Sequence, residues 1–445
     1  NAIIGDAPGV GKSAQAVLIS NAIGAHQTLI VCPASLRLNW AREVRMWSTV
    51  EDVTASVITK ATNGVSFKHD FVILSYDALR NDSIVEALME KRWDHVVYDE
   101  GHYIKDPKGN KRTRVICAED MLPSVAGRTT ILSGTLMPNQ PIECYNAMRL
   151  LDWSSIDGMS VDAFRDYYYG KGFGFVNKRV RDPLTNKVMW KAEPSYSVRN
   201  QPRNLDELQE RLRAHLMVRR LKEDVMKELP PKAWHPFPLA MTAALRHAIN
   251  HPGWVKAERL YDMDAHAFDG GIPIDGEVST ARRLLGEAKA EGVADYVEDM
   301  LEEREKLVVS CWHQSVMSIF RERFKGYRTV EMVAGMTARA QQAAVDQFQT
   351  DPRVRMILGQ SKVIGLGHTL TAAQDVIVAE PDWTPGNNDQ LLDRCHRLGQ
   401  RGNVLGHIPV VPGTLDERVL ATAIEKDQNI YNAMAKLTEL MGFKD

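Results

Sequence analysis

The sequence predicts an α/β protein with two parallel-sheet domains in tandem and a helical insertion between them. In the first third of the chain, short apolar runs such as TLIVC and HVVYD alternate with amphipathic helical segments. A second block of the same kind, with KLVVSC and DVIVAE, follows after a long helical stretch. Strands that alternate with helices favour a parallel sheet covered on both faces, so each block predicts one such sheet.

The elements follow in order along the chain. The first block opens with the strand AII, and its later strands are predicted at Thr28–Cys32, Phe71–Ser75, His95–Asp99 and Thr129–Ser133. Helices are predicted between them at Lys12–Ile23 and Leu36–Trp47. The strands of the second block are predicted at Lys306–Cys311, Val354–Leu358 and Asp375–Glu380. Four segments result: a first domain (1–152), a helical lid or insertion (153–232), a second domain (233–412) and a C-terminal helical segment (413–445).

The composition is typical of a globular protein that works inside a cell. The 445 residues are 44% hydrophobic and 25% charged, with a formal net charge of −2. Without a basic excess, any nucleic-acid contact must use a local groove. The five cysteines form no C-x-x-C pair, which favours a reducing compartment and argues against structural zinc and disulfides. No apolar run is long enough for a membrane span, so we expect no membrane partner and an intracellular location: cytoplasm or nucleoid, or the nucleus of a eukaryote.

The stretch IIGDAPGVGKSAQ lies where the strand AII turns into a helix. It departs from the pattern G-x-x-x-x-G-K-[ST] at one position, where Asp6 replaces the first glycine. Backbone N–H groups at such a turn, together with a helix N-terminus, bind phosphate oxygens. Gly9 and Gly11 would let the backbone approach closely, Lys12 would reach the β- and γ-phosphates, and Ser13 would hold Mg²⁺. The alternative is a glycine-containing turn with an exposed lysine.

Two carboxylates follow in VVYDEGH, at the end of a predicted strand. A nucleotide hydrolase needs such a pair, because Asp99 would bind Mg²⁺ while Glu100 would orient and deprotonate the attacking water. A pair of surface carboxylates that ends a strand is the simpler explanation of this feature alone. Two independent features in the right order predict a site for a nucleoside triphosphate.

Longer blocks of the chain resemble a known family. DEGH resembles the DEAH-type box of superfamily-two helicases, and LSGTLMPNQPIE resembles their S-G-T motif with its Swi/Snf-type extension. GLGHTLTAAQDVIVAEPDWTPGNNDQLLDRCHRLGQ resembles the two final motifs of Swi/Snf-type ATPases. The family's first motif reads D-E-M-G-L-G-K-T, so the resemblance expects Asp6. VRRLKEDV, LPPK and EPDWTPGNNDQ make the annealing-helicase (HepA-related) branch the closest match.

The resemblance implies two RecA-like domains, ATP and Mg²⁺ as cofactors, and an active site shared between both domains. Nucleotide contacts carried over from the family motifs are Asp6, Gly9, Val10, Gly11, Lys12, Ser13, Gly367 and Gln390. Metal ligands are Ser13 and Asp99. Contacts to nucleic acid are Ser35, Arg37, Ser75, Tyr76, Thr135, His313, Thr369 and Thr371, since hydroxyls and cationic groups suit phosphates. YYYGKGFGF is either a DNA-stacking loop or a lid on the insertion.

Two arginines in QLLDRCHRLGQ complete the predicted catalytic set of Lys12, Asp99, Glu100, Arg394 and Arg397. Arg394 and Arg397 are three residues apart, which places both guanidinium groups on one side of a helical turn. Within the resemblance, such arginines stabilise the charge that develops on the γ-phosphate. Taken alone, they would be two solvated helical arginines.

The function that these features imply is ATP-driven translocation on double-stranded DNA by a monomeric motor. The motor would remodel forked, branched or bubble DNA by annealing strands or migrating a branch. One alternative is a remodeller that strips proteins from DNA. Another is a DNA-binding scaffold without hydrolysis, motivated by the missing upstream glutamine motif and by Ile364, which stands where the family has glycine.

Overall fold

A computed structural model shows the architecture and describes residues 1–58, 67, 69–105, 110–134, 136, 141–181, 188–263, 276–365, 367–382, 385–412 and 417. The chain forms two compact units. The first comprises Asn1–Gly172, Arg199–Leu229 and Met336–Ala343. The second comprises Phe173–Val198, Pro230–Gly335 and Ala344–Asp445. Apart from Glu417, the predicted C-terminal helical segment lies outside the described residues.

The secondary structure alternates as predicted. The strands are β1 Ala2–Ile4, β2 Thr28–Cys32, β3 Ala55–Val57, β4 Phe71–Ser75, β5 Trp93–Asp99, β6 Ala126–Leu132, β7 Tyr169–Arg181, β8 Val188–Pro202, β9 Met217–Val218, β10 Lys232–Pro238, β11 Leu307–Cys311, β12 Thr329–Met332, β13 Met356–Gln360, β14 Asp375–Val378 and β15 Val404–Val410. The helices are α1 Lys12–Ala22, α2 Arg37–Trp47, α3 Asp82–Met89, α4 Lys111–Cys117, α5 Leu122–Val125, α6 Tyr145–Leu151, α7 Val161–Tyr168, α8 Leu205–His215, α9 Lys222–Val225, α10 Ala243–Ile249, α11 Pro252–Met263, α12 Gly276–Glu303, α13 Gln314–Arg323, α14 Ala338–Thr350, α15 Ser361–Ile364 and α16 Pro385–Leu392.

The first unit holds a seven-stranded sheet in the order β3-β4-β2-β5-β6-β1-β9. Every strand pairing described in it is parallel. β2 is buried along its whole length, and alternate residues enter different cores: Leu29 and Val31 pack on one face, Ile30 and Cys32 on the other. A strand alternates its side chains between the two faces of a sheet, so this all-apolar strand is explained by helices on both sides.

The second unit holds a six-stranded sheet in the order β10-β15-β14-β11-β13-β12, again with parallel pairings. β11 is fully buried, and Val308 packs in one core while Leu307 and Val309 pack in another. Two parallel-sheet α/β domains are therefore confirmed. Within the described residues, no helix combines the length and the apolar run needed to cross a bilayer.

The segment predicted as a helical insertion contains helices and also a two-stranded sheet. α7 and α8 flank β7 and β8, which pair with each other. The YYYGKGFGF stretch therefore ends one helix and opens a strand. The aromatic and β-branched residues of this strand, Phe173, Phe175, Val176 and Val180, are types that favour a strand. β9, which lies at the end of this segment, joins the first sheet beside β1.

A buried histidine links the first sheet to α1. His95 on β5 lies between two hydroxyls, with Ser20 Oγ 2.8 Å from Nδ1 and Thr130 Oγ1 2.8 Å from Nε2. Burial, and secondarily the positive N-terminal amino group, lower the pKa of His95 to about 4. In the unfolded chain the pKa returns to about 6.5. At pH values between these two pKa values, the unfolded state therefore binds a proton that the folded state does not bind. The free energy of unfolding decreases as the pH falls through this range.

We predict that the first unit loses stability between pH 7 and pH 5 and that His95→Gln removes part of this loss. The part due to His95 is about 2 kcal/mol at pH 5. Urea unfolding at both pH values measures it, with the exposed His26 as the control: His26→Gln should keep the wild-type pH dependence. Equal losses in wild type and His95→Gln would contradict the prediction.

Candidate functional site

The predicted site residues of the first unit lie on segments that leave the carboxyl ends of its strands. The phosphate loop follows β1, and Ser35 and Arg37 follow β2. Ser75 ends β4, and Tyr76 follows it. Asp99 and Glu100 end β5, which lies in the sheet beside both β2 and β6. The carboxyl edge of a parallel sheet is the usual place for a ligand site.

The phosphate loop has the backbone shape that its glycines predict. Gly9 and Gly11 have φ values of 88° and 89°, which glycine adopts without strain. α1 begins at Lys12, and its N-cap is Gly11, which has no side chain with which to cap the helix. A Cβ built on Gly11 would meet no heavy atom within 4 Å. The helix N-terminus thus faces open space, and this cradle fits a phosphate group.

Lys12 and Ser13 occupy the first turn of α1, as predicted for ligands of phosphate and metal. The Lys12 ammonium donates to the carbonyl oxygens of Asp6 and Ala7, at 2.8 and 3.2 Å. Lys12 and Ser13 are both partly buried. A phosphate bound in the cradle would compete with the two carbonyls for the lysine, since an ammonium binds an anionic oxygen more strongly than a neutral one.

Asp6 holds the loop from inside, where it is fully buried. Its Oδ2 accepts from Gln15 Nε2 on α1 at 2.8 Å, and its Oδ1 accepts from the backbone N–H of Arg220 at 2.8 Å. The prediction that Asp6 itself contacts a nucleotide therefore needs correction, because the side chain is fully buried, whereas that of Asp99 is only partly buried. Asp6 shapes the loop that carries Lys12.

Asp99 and Glu100 stand at the end of β5 with different environments. Asp99 Oδ2 accepts from the indole N–H of Trp40 at 2.8 Å, and Oδ1 accepts from the Glu100 N–H at 2.9 Å. Burial, followed by the charge of Glu100, raises the pKa of Asp99 to about 6, while the Trp40 bond and Lys12 act in the opposite direction. The influence of Lys12 on Asp99 means that the loop and the strand end form one electrostatic site.

Glu100 has φ 54° and ψ 63°, the left-handed conformation that non-glycine residues seldom adopt. Strain of this kind concentrates at functional sites. Its Oε2 lies 3.4 Å from Nδ1 of His102. The DEGH box therefore carries a carboxylate held by a strained backbone beside a second carboxylate, which suits the pairing of a general base with a metal ligand.

The predicted nucleic-acid contacts of the first unit are less uniform. Tyr76 is buried: its ring stacks on Tyr103 with centroids 4.9 Å apart, and its hydroxyl donates to the carbonyl of Asp99 at 2.7 Å. The prediction that Tyr76 touches nucleic acid is therefore corrected, because the ring supports the DEGH box. Ser75 is also buried. Thr135 lies outside the described residues.

Ser35 and Arg37 remain partly exposed at the carboxyl end of β2. The Arg37 guanidinium donates to the carbonyl oxygens of Ala34 at 3.0 Å and Ile58 at 2.5 Å. These bonds fix the direction of the side chain without neutralising its charge. The Arg37 guanidinium can therefore contact an anion, whereas the hydroxyl of Ser35 is buried and has no hydrogen-bond partner among the described residues. Both contacts with nucleic acid stay predictions.

In the second unit, the arginine segment is bonded to the loop between α15 and β14. Arg394 is buried, and its Nε donates to Gly365 O at 2.9 Å. Arg397 is partly exposed, and its Nη1 donates to Gly367 O and Thr369 Oγ1, both at 3.1 Å. Arg394 therefore supports the loop, whereas Arg397 has the exposure that a catalytic arginine needs.

The other predicted residues of the second unit lie on α16, between α15 and β14, and directly after β11. Gln390 lies on α16. Thr371 Oγ1 accepts from Gln349 Nε2 at 3.1 Å. His313 follows β11, and its Nδ1 lies 2.5 Å from the buried carboxylate of Glu380. The ring of His313 is thus oriented by Glu380, and its contact with nucleic acid stays a prediction.

Ile364, which replaces a family glycine, packs in the core rather than in the site. It is fully buried, and a Cβ on Gly359 would lie 2.9 Å from its side chain. Glycine at position 359 therefore makes room for isoleucine at position 364.

Sequence reasoning missed the residues that orient the site, because their signal is a spatial contact between distant segments. Trp40 orients Asp99, and Gln15 orients Asp6. In the second unit, Lys232 Nζ lies 3.0 Å from Oδ1 of the buried Asp393. Asp393 immediately precedes Arg394, so the LPPK motif stabilises the arginine segment. The family resemblance identified LPPK as a motif, but it did not reveal this contact.

Comparison with known proteins gives two family matches. Residues 1–270 match the SNF2-related domain, and residues 289–399 match the helicase conserved C-terminal domain. Human DNA annealing helicase and endonuclease ZRANB3 is 28% identical over 428 residues, which are 93% of this chain and 37% of that protein. The Drosophila melanogaster SWI/SNF-related matrix-associated actin-dependent regulator of chromatin subfamily A-like protein 1 is 24% identical, with 98% of this chain and 54% of that protein covered.

Among solved structures, the Sulfolobus solfataricus SWI2/SNF2 ATPase core in complex with dsDNA aligns with a TM-score of 0.42 and 19% identity. The alignment covers 94% of this chain and 85% of that one. This chain spans about a third to a half of the lengths of the two curated relatives, at 37% and 54%. The SNF2-related match extends over 270 of the 445 residues, and the motif resemblance is thereby confirmed: the chain belongs to the SNF2-related family.

Proposed function

We propose that this chain is an ATP-driven translocase on double-stranded DNA that remodels forked, branched or bubble DNA. The observation that carries the proposal is the meeting of a glycine-shaped phosphate cradle with Asp99 and Glu100 at one edge of the first sheet. The names of the relatives, an annealing helicase among them, supply the DNA substrate. Annealing or branch migration is the activity that fits these names.

In the first unit, the proposed site uses its residues in distinct roles. Backbone N–H groups of Gly9, Val10 and Gly11 bind the phosphates of ATP, and Lys12 leaves its two carbonyl partners to bind the terminal phosphates. Ser13 and Asp99 would hold Mg²⁺. Mg²⁺ supplies charge neutralisation on the phosphates. Glu100 orients water and accepts its proton.

In the second unit, Arg397 is the proposed arginine finger, and Gly367 and Gln390 belong to the nucleotide site. Arg394 acts mainly by holding the loop at Gly365. The proposed domain boundaries are 1–152 for the first domain, 153–232 for the lid, 233–412 for the second domain and 413–445 for the C-terminal segment. The motor acts as a monomer and works inside the cell, where its DNA is.

The proposed DNA path uses groups that contact phosphates without reading sequence. They are Ser35, Arg37, Ser75, Thr135, His313, Thr369 and Thr371. A chain with a net charge of −2 has no global field to attract DNA. Local contacts of this kind must therefore supply the affinity.

We predict DNA-stimulated ATP turnover that Lys12→Ala and Glu100→Gln abolish. Glu100→Gln removes the base and lowers turnover by about a hundredfold or more, while nucleotide affinity stays near that of the wild type. Turnover is measured with single-stranded, duplex and forked DNA and with RNA. Glu90→Gln, which alters an exposed glutamate on the same unit, is the matched control.

The arms of this experiment separate the alternatives. Stimulation by duplex and forked DNA supports the proposed translocase, and stimulation by RNA alone contradicts it. Absence of turnover in a wild-type protein that binds both DNA and nucleotide would favour the scaffold. A protein that turns over ATP and displaces a bound protein from duplex DNA, without annealing or migrating strands, would favour the stripping activity.

We predict that Arg397→Ala lowers ATP turnover by about a thousandfold and leaves nucleotide affinity largely intact. Its guanidinium acts on charge that develops only during hydrolysis. Arg401→Ala, an exposed arginine four positions later, is the control and should turn over at the wild-type rate. Arg394→Ala should instead lower the unfolding temperature, because this side chain is buried. Retained turnover in Arg397→Ala would remove the finger role.

A further inference from the structure

The phosphate loop is bordered by a segment more than two hundred residues later in the chain. β9 pairs with β1 in parallel, and the hydrogen bonds continue into the loop. The N–H of Gly5 donates to Val218 O at 2.7 Å, and the N–H of Ala7 donates to Arg220 O at 3.0 Å. A Cβ on Gly5 would lie 2.8 Å from the sulfur of Met217. Residues 217–220 therefore fix the backbone conformation of the phosphate loop.

Arg219 connects this border to a second loop of the site. Its Nη1 donates to Gly5 O at 3.0 Å and to Gly134 O at 3.1 Å. Gly5 precedes Asp6 in the phosphate loop, and Gly134 belongs to the S-G-T motif that follows β6. One guanidinium group thus binds the backbones of two loops of the site. These loops follow β1 and β6, which are adjacent strands of the sheet.

Gly134 lies directly on the phosphate loop. A Cβ built there would be 3.1 Å from the ring of Pro8 and 3.4 Å from Lys12 Nζ. By holding the Gly134 carbonyl, Arg219 keeps this backbone pressed against the lysine that binds phosphate. A displacement of Gly134 would therefore alter the space around Lys12.

The arginine carries a feature that stability alone does not explain. Its Nε is buried and, within the described residues, has no hydrogen-bond partner. A buried donor without a partner is destabilising, and such groups are rare in folded proteins. Arg219 nevertheless occupies this unfavourable position, from which its Nη1 joins the two loops.

We infer that Arg219 is a positioning residue for the phosphate site: it sets the distance between the phosphate loop and the S-G-T loop, and with it the placement of Lys12. The inference rests on the proposed function, because it assigns the arginine a role in nucleotide binding. Arg219 touches neither the phosphates nor the metal in this account. It acts through Gly5 and Gly134.

The test measures nucleotide affinity, with a fluorescent ADP analogue and Mg²⁺, for wild type, Arg219→Ala and Arg219→Lys. Arg219→Ala should bind about tenfold more weakly, equivalent to about 1.4 kcal/mol. Arg219→Lys should recover part of the affinity, because an ammonium can still donate to one carbonyl but lacks the planar fork of arginine. Arg213→Ala removes a nearby charge of the same sign and should bind like wild type.

A second control separates positioning from a general loss of stability. Leu122→Ala creates a cavity on α5, which precedes β6 and so lies at the amino edge of the sheet, away from the loop. Leu122→Ala should lower the unfolding temperature without weakening the binding of the nucleotide. An affinity of Arg219→Ala that equals the wild type, or a loss that Leu122→Ala reproduces at equal destabilisation, would overturn the inference.

The two proposals fail in different ways. Nucleotide affinity tests Arg219 whether or not the protein hydrolyses ATP. A wild type that binds the analogue but shows no turnover overturns the proposed function, and the comparison of variants still decides the role of Arg219. A wild type that binds no nucleotide overturns both.

Discussion

The buried carboxylate of Asp6 is the interaction on which the first unit's site depends. A buried charge is costly unless hydrogen bonds compensate it, so its two partners are strongly constrained. One oxygen binds Gln15 on α1, and the other binds the backbone of Arg220. The carboxylate therefore fixes the loop to its own helix and to the strand that closes the sheet. Asp6, which departs from the strict phosphate-loop pattern, is therefore the residue that stabilises the loop.

The segment between the two sheets contributes to the site elements of each unit in turn. Its first part, around Arg219, binds the phosphate loop and the S-G-T loop in the first unit. Its last part places Lys232 beside Asp393, and His396 binds the carbonyl of Pro230 at 2.6 Å in the second unit. The motifs VRRLKEDV and LPPK are thus explained by their contacts with the phosphate loop, the S-G-T loop and the arginine segment.

Much of the fold and part of the site could be predicted from the sequence. Apolar runs with both faces buried, such as β2, identify parallel strands, and local glycines identify the phosphate loop. The two-stranded sheet of β7 and β8 was missed because the sequence of β7 does not alternate between apolar and polar residues. Tyr76 was misassigned because a motif gives a position along the chain and not the direction or burial of a side chain. Trp40 and Arg219 lie far in sequence from the groups that they orient, so only the folded structure reveals them.

Hydrogen exchange of backbone amides, with and without Mg²⁺-ADP, tests most directly whether the phosphate loop and residues 216–220 form one structural unit. The loop amides of Gly5 and Ala7 donate to the carbonyl oxygens of Val218 and Arg220, and the Arg220 amide donates to the carboxylate of Asp6. The account predicts that the nucleotide slows exchange in the loop and, by a comparable factor, in residues 216–220. Protection of the loop alone, with unchanged exchange in residues 216–220, would contradict it.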